Sequence, residues 1–79
     1  MDIILLYRDA KYIVETKLWR GEKRYQSGKQ QLAGYLDKES VQQGYYIVFD
    51  HRQDAQLRYE RELVAGKEIV SYCIPIPTQ

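Results

Sequence analysis

The chain opens on an apolar run, Asp2-Ile3-Ile4-Leu5-Leu6-Tyr7, short enough to be a buried strand. A polar turn follows at Arg8-Asp9-Ala10-Lys11, then a stretch from Tyr12 to Trp19 rich in β-branched and aromatic residues. Together these predict a β-hairpin. After Trp19-Arg20-Gly21 the period changes, and Tyr25, Gly28, Leu32, Tyr35 and Leu36 line one face of an amphipathic helix from Glu22 to about Lys38. A later start is also open, with Ser27 as cap and Gln30 completing a capping box. Gly28 inside this helix points to a close approach to the sheet, because a mid-helix glycine is costly. Beyond Gly44, Tyr45-Tyr46-Ile47-Val48-Phe49 reads as a central strand. Leu57 to Val64, the turn Ala65-Gly66-Lys67 and Glu68 to Ile74 read as a second hairpin. The predicted order is β-β-α-β-β-β, an α+β domain spanning 1–79 as a single unit.

Composition narrows the function classes. With 79 residues the chain is one domain, and 12 Lys+Arg against 11 Asp+Glu exclude a polybasic or acidic tail as its working device. No apolar run is long enough to span a membrane. The single cysteine, Cys73, cannot form an internal disulfide, which predicts a reduced, cytoplasmic protein. One histidine and one cysteine exclude zinc-finger spacing. No phosphate loop, nucleophile elbow or dinucleotide fingerprint is present.

The first hairpin carries the chemistry. A turn at residues 8–11 pairs Tyr7 with Tyr12, placing Asp2 opposite Lys17 and Ile4 opposite Glu15. Alternation then gathers Asp2, Glu15 and Lys17 on one face, with opposite β-carbons about 5 Å apart and the diagonal Asp2–Glu15 pair about 7 Å apart. Two carboxylates so spaced can share a hard cation such as Mg²⁺. A lysine beside them can orient a bound water or neutralise charge developing on a phosphate. The same triad also reads as a cross-strand salt-bridge cluster at a sheet end.

Residues Asp2-Ile3, Tyr12-Ile13-Val14-Glu15-Thr16-Lys17-Leu18-Trp19-Arg20-Gly21, Gly28 through Gln31-Leu32 to Tyr35-Leu36, and Gly44-Tyr45 to Phe49-Asp50 with Arg52 resemble the PD-(D/E)XK nuclease superfamily. The likeness is to the small nuclease domains at the C-terminus of bacterial AAA-ATPase-like proteins. It implies a truncated restriction-endonuclease-like core, since the helix and strand that open the family core have no counterpart before Asp2, and Met1 stands where the motif's proline would. It further implies Asp2 and Glu15 as carboxylate ligands of Mg²⁺ or Mn²⁺, the Thr16 carbonyl as a further ligand, and Lys17 as the catalytic lysine. Gln31 and Tyr35 match the Gln-xxx-Tyr helix motif of the RecB-like branch, and spacing alone puts them on one helix face.

Between Arg8 and Lys29, basic residues outnumber acidic ones, and Arg20, Lys23, Arg24 and Lys29 cluster where the second strand hands over to the helix. This is a candidate footprint for a nucleic-acid backbone, DNA by its electrostatics, or else a solvated helix face. Trp19 either stacks on a base or packs against the helix. The second face of the first hairpin (Ile3, Leu5, Tyr7, Tyr12, Val14, Leu18) is apolar, and one helix covers only one face of a sheet. The C-terminal hairpin or another chain must therefore supply the second layer, which predicts a homodimer or docking to a larger partner such as an AAA-ATPase-like domain. Three functions follow: a metal-dependent nuclease, an inactive remnant of that fold serving as a dimerisation or docking module, or metal-independent nucleic-acid binding through the basic patch with a steep salt dependence.

Overall fold

A computed structural model describes residues 2–77, with the side chains of Asp2, Ile3, Leu5 and Tyr7 outside the description. The described residues form β1 (Asp2–Tyr7), β2 (Ala10–Leu18), α1 (Glu22–Lys38), β3 (Gln43–Asp50), β4 (Arg58–Val64) and β5 (Lys67–Pro75). This is the α+β arrangement read from the sequence, and α1 starts at Glu22. Ser27 is not its cap; it lies inside the helix, where its hydroxyl donates to the Arg24 carbonyl at 3.2 Å.

The strands make one five-stranded sheet in the order β1-β2-β3-β5-β4. β2, β3 and β5 run parallel, while β1 and β4 pair antiparallel at the two edges. The helix crosses back from β2 to its parallel neighbour β3, as parallel strands require a long connection. After β3 the chain travels to the far edge as β4. It then returns as β5 through the turn at Ala65 (φ 49°) and Gly66 (φ 81°). Two successive left-handed residues give the hairpin turn whose twist matches that of the strands.

The register of the first hairpin differs from the expected one. The turn is Arg8-Asp9, so Tyr7 pairs with Ala10, Ile4 with Ile13, and Asp2 with Glu15 rather than Lys17. Arg8 takes a left-handed φ of 56°, which lets the turn close two residues earlier. A shift of two preserves the faces, because side chains alternate with period two. Glu15 and Lys17 therefore still share a face, and Asp2 comes directly opposite Glu15.

The stripe Tyr25, Gly28, Lys29, Leu32, Ala33 and Leu36 is the buried face of α1. It lies over β3, β5 and β4 and packs on Ile13, Tyr46, Val48, Ile69, Cys73 and Val64. The helix is turned toward Lys29 and Ala33 relative to the expected face, which leaves Tyr35 half-buried at the core's margin. No helix among the described residues is long and apolar enough to cross a membrane.

The C-terminal hairpin extends the sheet in its own plane instead of forming a second layer. The face away from α1 thus carries the rows Val14-Tyr45-Val70, Thr16-Ile47-Tyr72-Tyr59 and Leu18-Phe49-Ile74, aligned across the strands. No described element covers these rows.

Candidate functional site

Between α1 and the carboxyl end of β2 lies a cleft of about 240 Å³ lined by Lys17, Trp19, Arg20, Arg24, Ser27, Gln31 and Tyr46 among others. Crevices at the carboxyl ends of parallel strands are the usual ligand sites of open sheets. The odd-numbered residues of β2 point toward the helix, so Ile13 anchors the core while Glu15 and Lys17 continue the same face toward the cleft.

Glu15 is only 8% exposed. Lys17 Nζ stands 3.8 Å from its Oε2 and donates to Gln31 Oε1 at 3.1 Å. The structure thus brings together Glu15, Lys17 and Gln31 from the expected catalytic set. Gln31 reaches Lys17 because it lies on the flank of α1 facing β2. Tyr35, one turn on, packs against the core and does not line the cleft. The Asp2 side chain lies outside the described residues, and backbone register is what sets it opposite Glu15. Thr16 follows Glu15 on β2 with its side chain on the opposite face, away from α1. Among the described residues no three of His, Cys, Asp and Glu group as metal ligands.

The basic set divides. Arg20 and Arg24 line the cleft, and Lys23 is exposed on the first turn of α1. Lys29 does not belong with them: it is 1% exposed and points between α1 and β4. Its Nζ meets Glu60 Oε1 at 2.8 Å and is also paired with Glu62. Its ammonium sits 4.5 Å from the centre of the Tyr25 ring. Burial opposes the charge on Lys29, but the two carboxylates outweigh it and its pKa is raised. The lysine lies on the buried stripe of α1, where an unpaired charge would be untenable.

Two features received no role of their own in the sequence reading. Asp50, buried at the end of β3, accepts from Arg52 Nε at 3.0 Å and Nη2 at 2.7 Å, which holds its carboxyl below the usual range. The guanidinium so fixed lies 4.1 Å from the Trp19 ring, and Trp19 also meets Tyr25 at 5.5 Å, so this indole packs against the helix. The Asp-x-Arg spacing at a strand end was the available signal.

The second feature is Tyr46, 1% exposed yet reaching the cleft. A β-carbon at Gly28 would fall 2.1 Å from its hydroxyl and 2.8 Å from its ring carbon, so glycine is what admits this tyrosine beneath the helix. Gly28→Ala should lower stability by about 1–2 kcal/mol, overpacking outweighing the gain in helix propensity. Urea unfolding measures it, and a more stable variant would show that the ring is free to move aside.

No family model, no curated protein and no solved structure matches this chain.

Proposed function

We propose that this domain is a Mg²⁺- or Mn²⁺-dependent nuclease that hydrolyses phosphodiester bonds, with DNA as its substrate. The supporting observation is the chain of contacts from buried Glu15 to Lys17 and from Lys17 to Gln31, beside a cleft that Lys17, Gln31, Arg20 and Arg24 line. Asp2 is paired with Glu15 in register. Two carboxylates against one lysine form a hard, anionic oxygen donor set of the kind Mg²⁺ and Mn²⁺ accept. Asp2, Glu15 and the Thr16 carbonyl would hold the ion, which supplies Lewis-acid activation of water and phosphate. Lys17 Nζ orients the attacking water and neutralises charge on the phosphate as Gln31 Oε1 fixes its position. Arg20, Arg24 and Lys23 hold the strand through its phosphates. Tyr35 supports α1 from the core side. The test is cleavage of supercoiled plasmid and of single-stranded DNA with either metal. Cleavage abolished by EDTA supports the reading, and no cleavage under any of these conditions overturns it.

The uncovered sheet face favours a second role, association with a second copy of this chain. Five strands about 4.8 Å apart and roughly 26 Å long present about 600 Å². Two such faces packed back to back bury about 1,200 Å², the lower edge of a stable interface. Arg61 and Gln43, both held by Glu68 at one margin, supply a polar rim. Sedimentation should give a dimer of the 9.4 kDa chain, and Ile47→Lys with Tyr72→Lys should return a folded monomer. A wild-type monomer at micromolar concentration would remove this role without touching the nuclease reading.

A further inference from the structure

The Tyr46 hydroxyl takes no part in the hydrogen bonds among the described residues, although its ring is enclosed by α1, Tyr25 and the sheet. Every fully enclosed side-chain oxygen or nitrogen among those residues has a partner, so this hydroxyl is the part of Tyr46 that meets the open space of the cleft. A glycine in the middle of a helix is retained where it lets that hydroxyl in. The same cleft is lined by Lys17, Arg20 and Arg24, and by Gln31 and Ser27.

We propose that this cleft is a pocket for one phosphorylated nucleotide unit, the phosphate-bearing end of a single strand, with the Tyr46 hydroxyl donating to a phosphoryl oxygen between Lys17 and Arg24. A phenolic hydroxyl is protonated at neutral pH and serves there as a donor. A neutral donor among cations selects an acceptor-only anion. A phosphomonoester carries a charge of about −1.5 to −2 and three acceptor oxygens, a closer match to three cations beside one glutamate than a diester is. A space of about 240 Å³ admits a single unit and leaves a duplex outside. The inference takes the strand from the nuclease reading, whereas the phosphate is argued from the cleft itself.

The experiment measures binding to the full chain by calorimetry in EDTA, so that no cleavage occurs. The ligands are thymidine 5′-monophosphate, inorganic phosphate, thymidine, and a single-stranded decamer with and without a terminal phosphate. The expected order is monophosphate and phosphorylated decamer well above unphosphorylated decamer and thymidine. Tyr46→Phe should weaken monophosphate binding about tenfold at an unchanged unfolding midpoint. Arg24→Ala, at an exposed helix position, should produce a comparable loss. Equal binding by Tyr46→Phe, or no preference for the terminal phosphate, overturns the pocket. Inorganic phosphate binding as tightly as the nucleotide would overturn the nucleotide and leave a bare anion site. Tyr46-dependent binding without metal-dependent cleavage would retain the pocket and dismiss the nuclease; cleavage without Tyr46-dependent binding would do the reverse.

Discussion

Glu15→Gln should lower DNA cleavage at least about 1,000-fold, equivalent to about 4 kcal/mol of transition-state stabilisation. The substitution keeps the shape of a side chain that is 8% exposed and removes only its charge. With one carboxylate left, at Asp2, the donor set loses half its charge and with it most of its hold on a divalent ion. Stability should not fall with activity, because an amide is less costly than a carboxylate to bury. Lys17→Met tests the other member of the pair. It leaves both carboxylates in place, and the loss expected is about 100-fold, the ordinary contribution of a positioned proton-transfer group. Circular dichroism on the same samples separates a dead site from an unfolded chain. Cleavage by either variant at the wild-type rate would mean that the activity lies elsewhere.

Glu60→Gln combined with Glu62→Gln should destabilise the domain by about 3 kcal/mol, a large share of what a chain this size possesses. The cost falls on Lys29. Its ammonium is buried beneath α1, and the two glutamates of β4 are its ion-pair partners. The glutamates themselves are each about a third exposed and lose little when unpaired. Lys29→Met removes the charge together with its demand for partners, and should be close to neutral. The contrast between these variants in urea unfolding identifies a clamp of helix to edge strand. A double variant as stable as the wild type would show that water reaches Lys29.

The same clamp contributes to both pH limbs, beside the lowered carboxyls of Asp50 and Glu22 on the acid side. The hydrogen bond from Lys29 holds the Glu60 carboxyl below its ordinary value. Its stabilisation is therefore present above the ordinary glutamate pKa and is lost as pH falls toward the lowered one. The raised Lys29 pKa acts in the opposite sense, stabilising below the ordinary lysine value and fading as pH rises through the raised one. Lys29→Met should make both limbs shallower in pH-dependent urea unfolding, and an unchanged profile would remove the clamp from them.

The elements were legible because each has its own period. The stripe from Tyr25 to Leu36 could only be a helix, and Tyr45 to Phe49 had too few polar positions to lie at an edge. What failed was non-local. The register depended on Arg8 adopting a left-handed conformation, which an arginine does not announce. The C-terminal hairpin gave no sign of whether it would lie in the sheet or over it, since that follows from β5 pairing with β3. Lys29 was misplaced because its partners are 31 and 33 residues away, and a lysine without a visible partner is read as exposed. Of the candidate site, the Glu-x-Lys alternation and the reach of Gln31 were readable from spacing. Tyr46 was not, although Gly28 had marked where the helix comes close to the sheet.

The most direct test of the central claim is where a divalent ion binds. Mn²⁺ added in substoichiometric amounts to the isotopically labelled chain broadens amide signals near its site. The account predicts broadening centred on Val14 to Lys17 and on Gln31, absent in Glu15→Gln and reversed by excess Mg²⁺. Broadening centred on Glu60 and Glu62, or none at millimolar Mn²⁺, would contradict it.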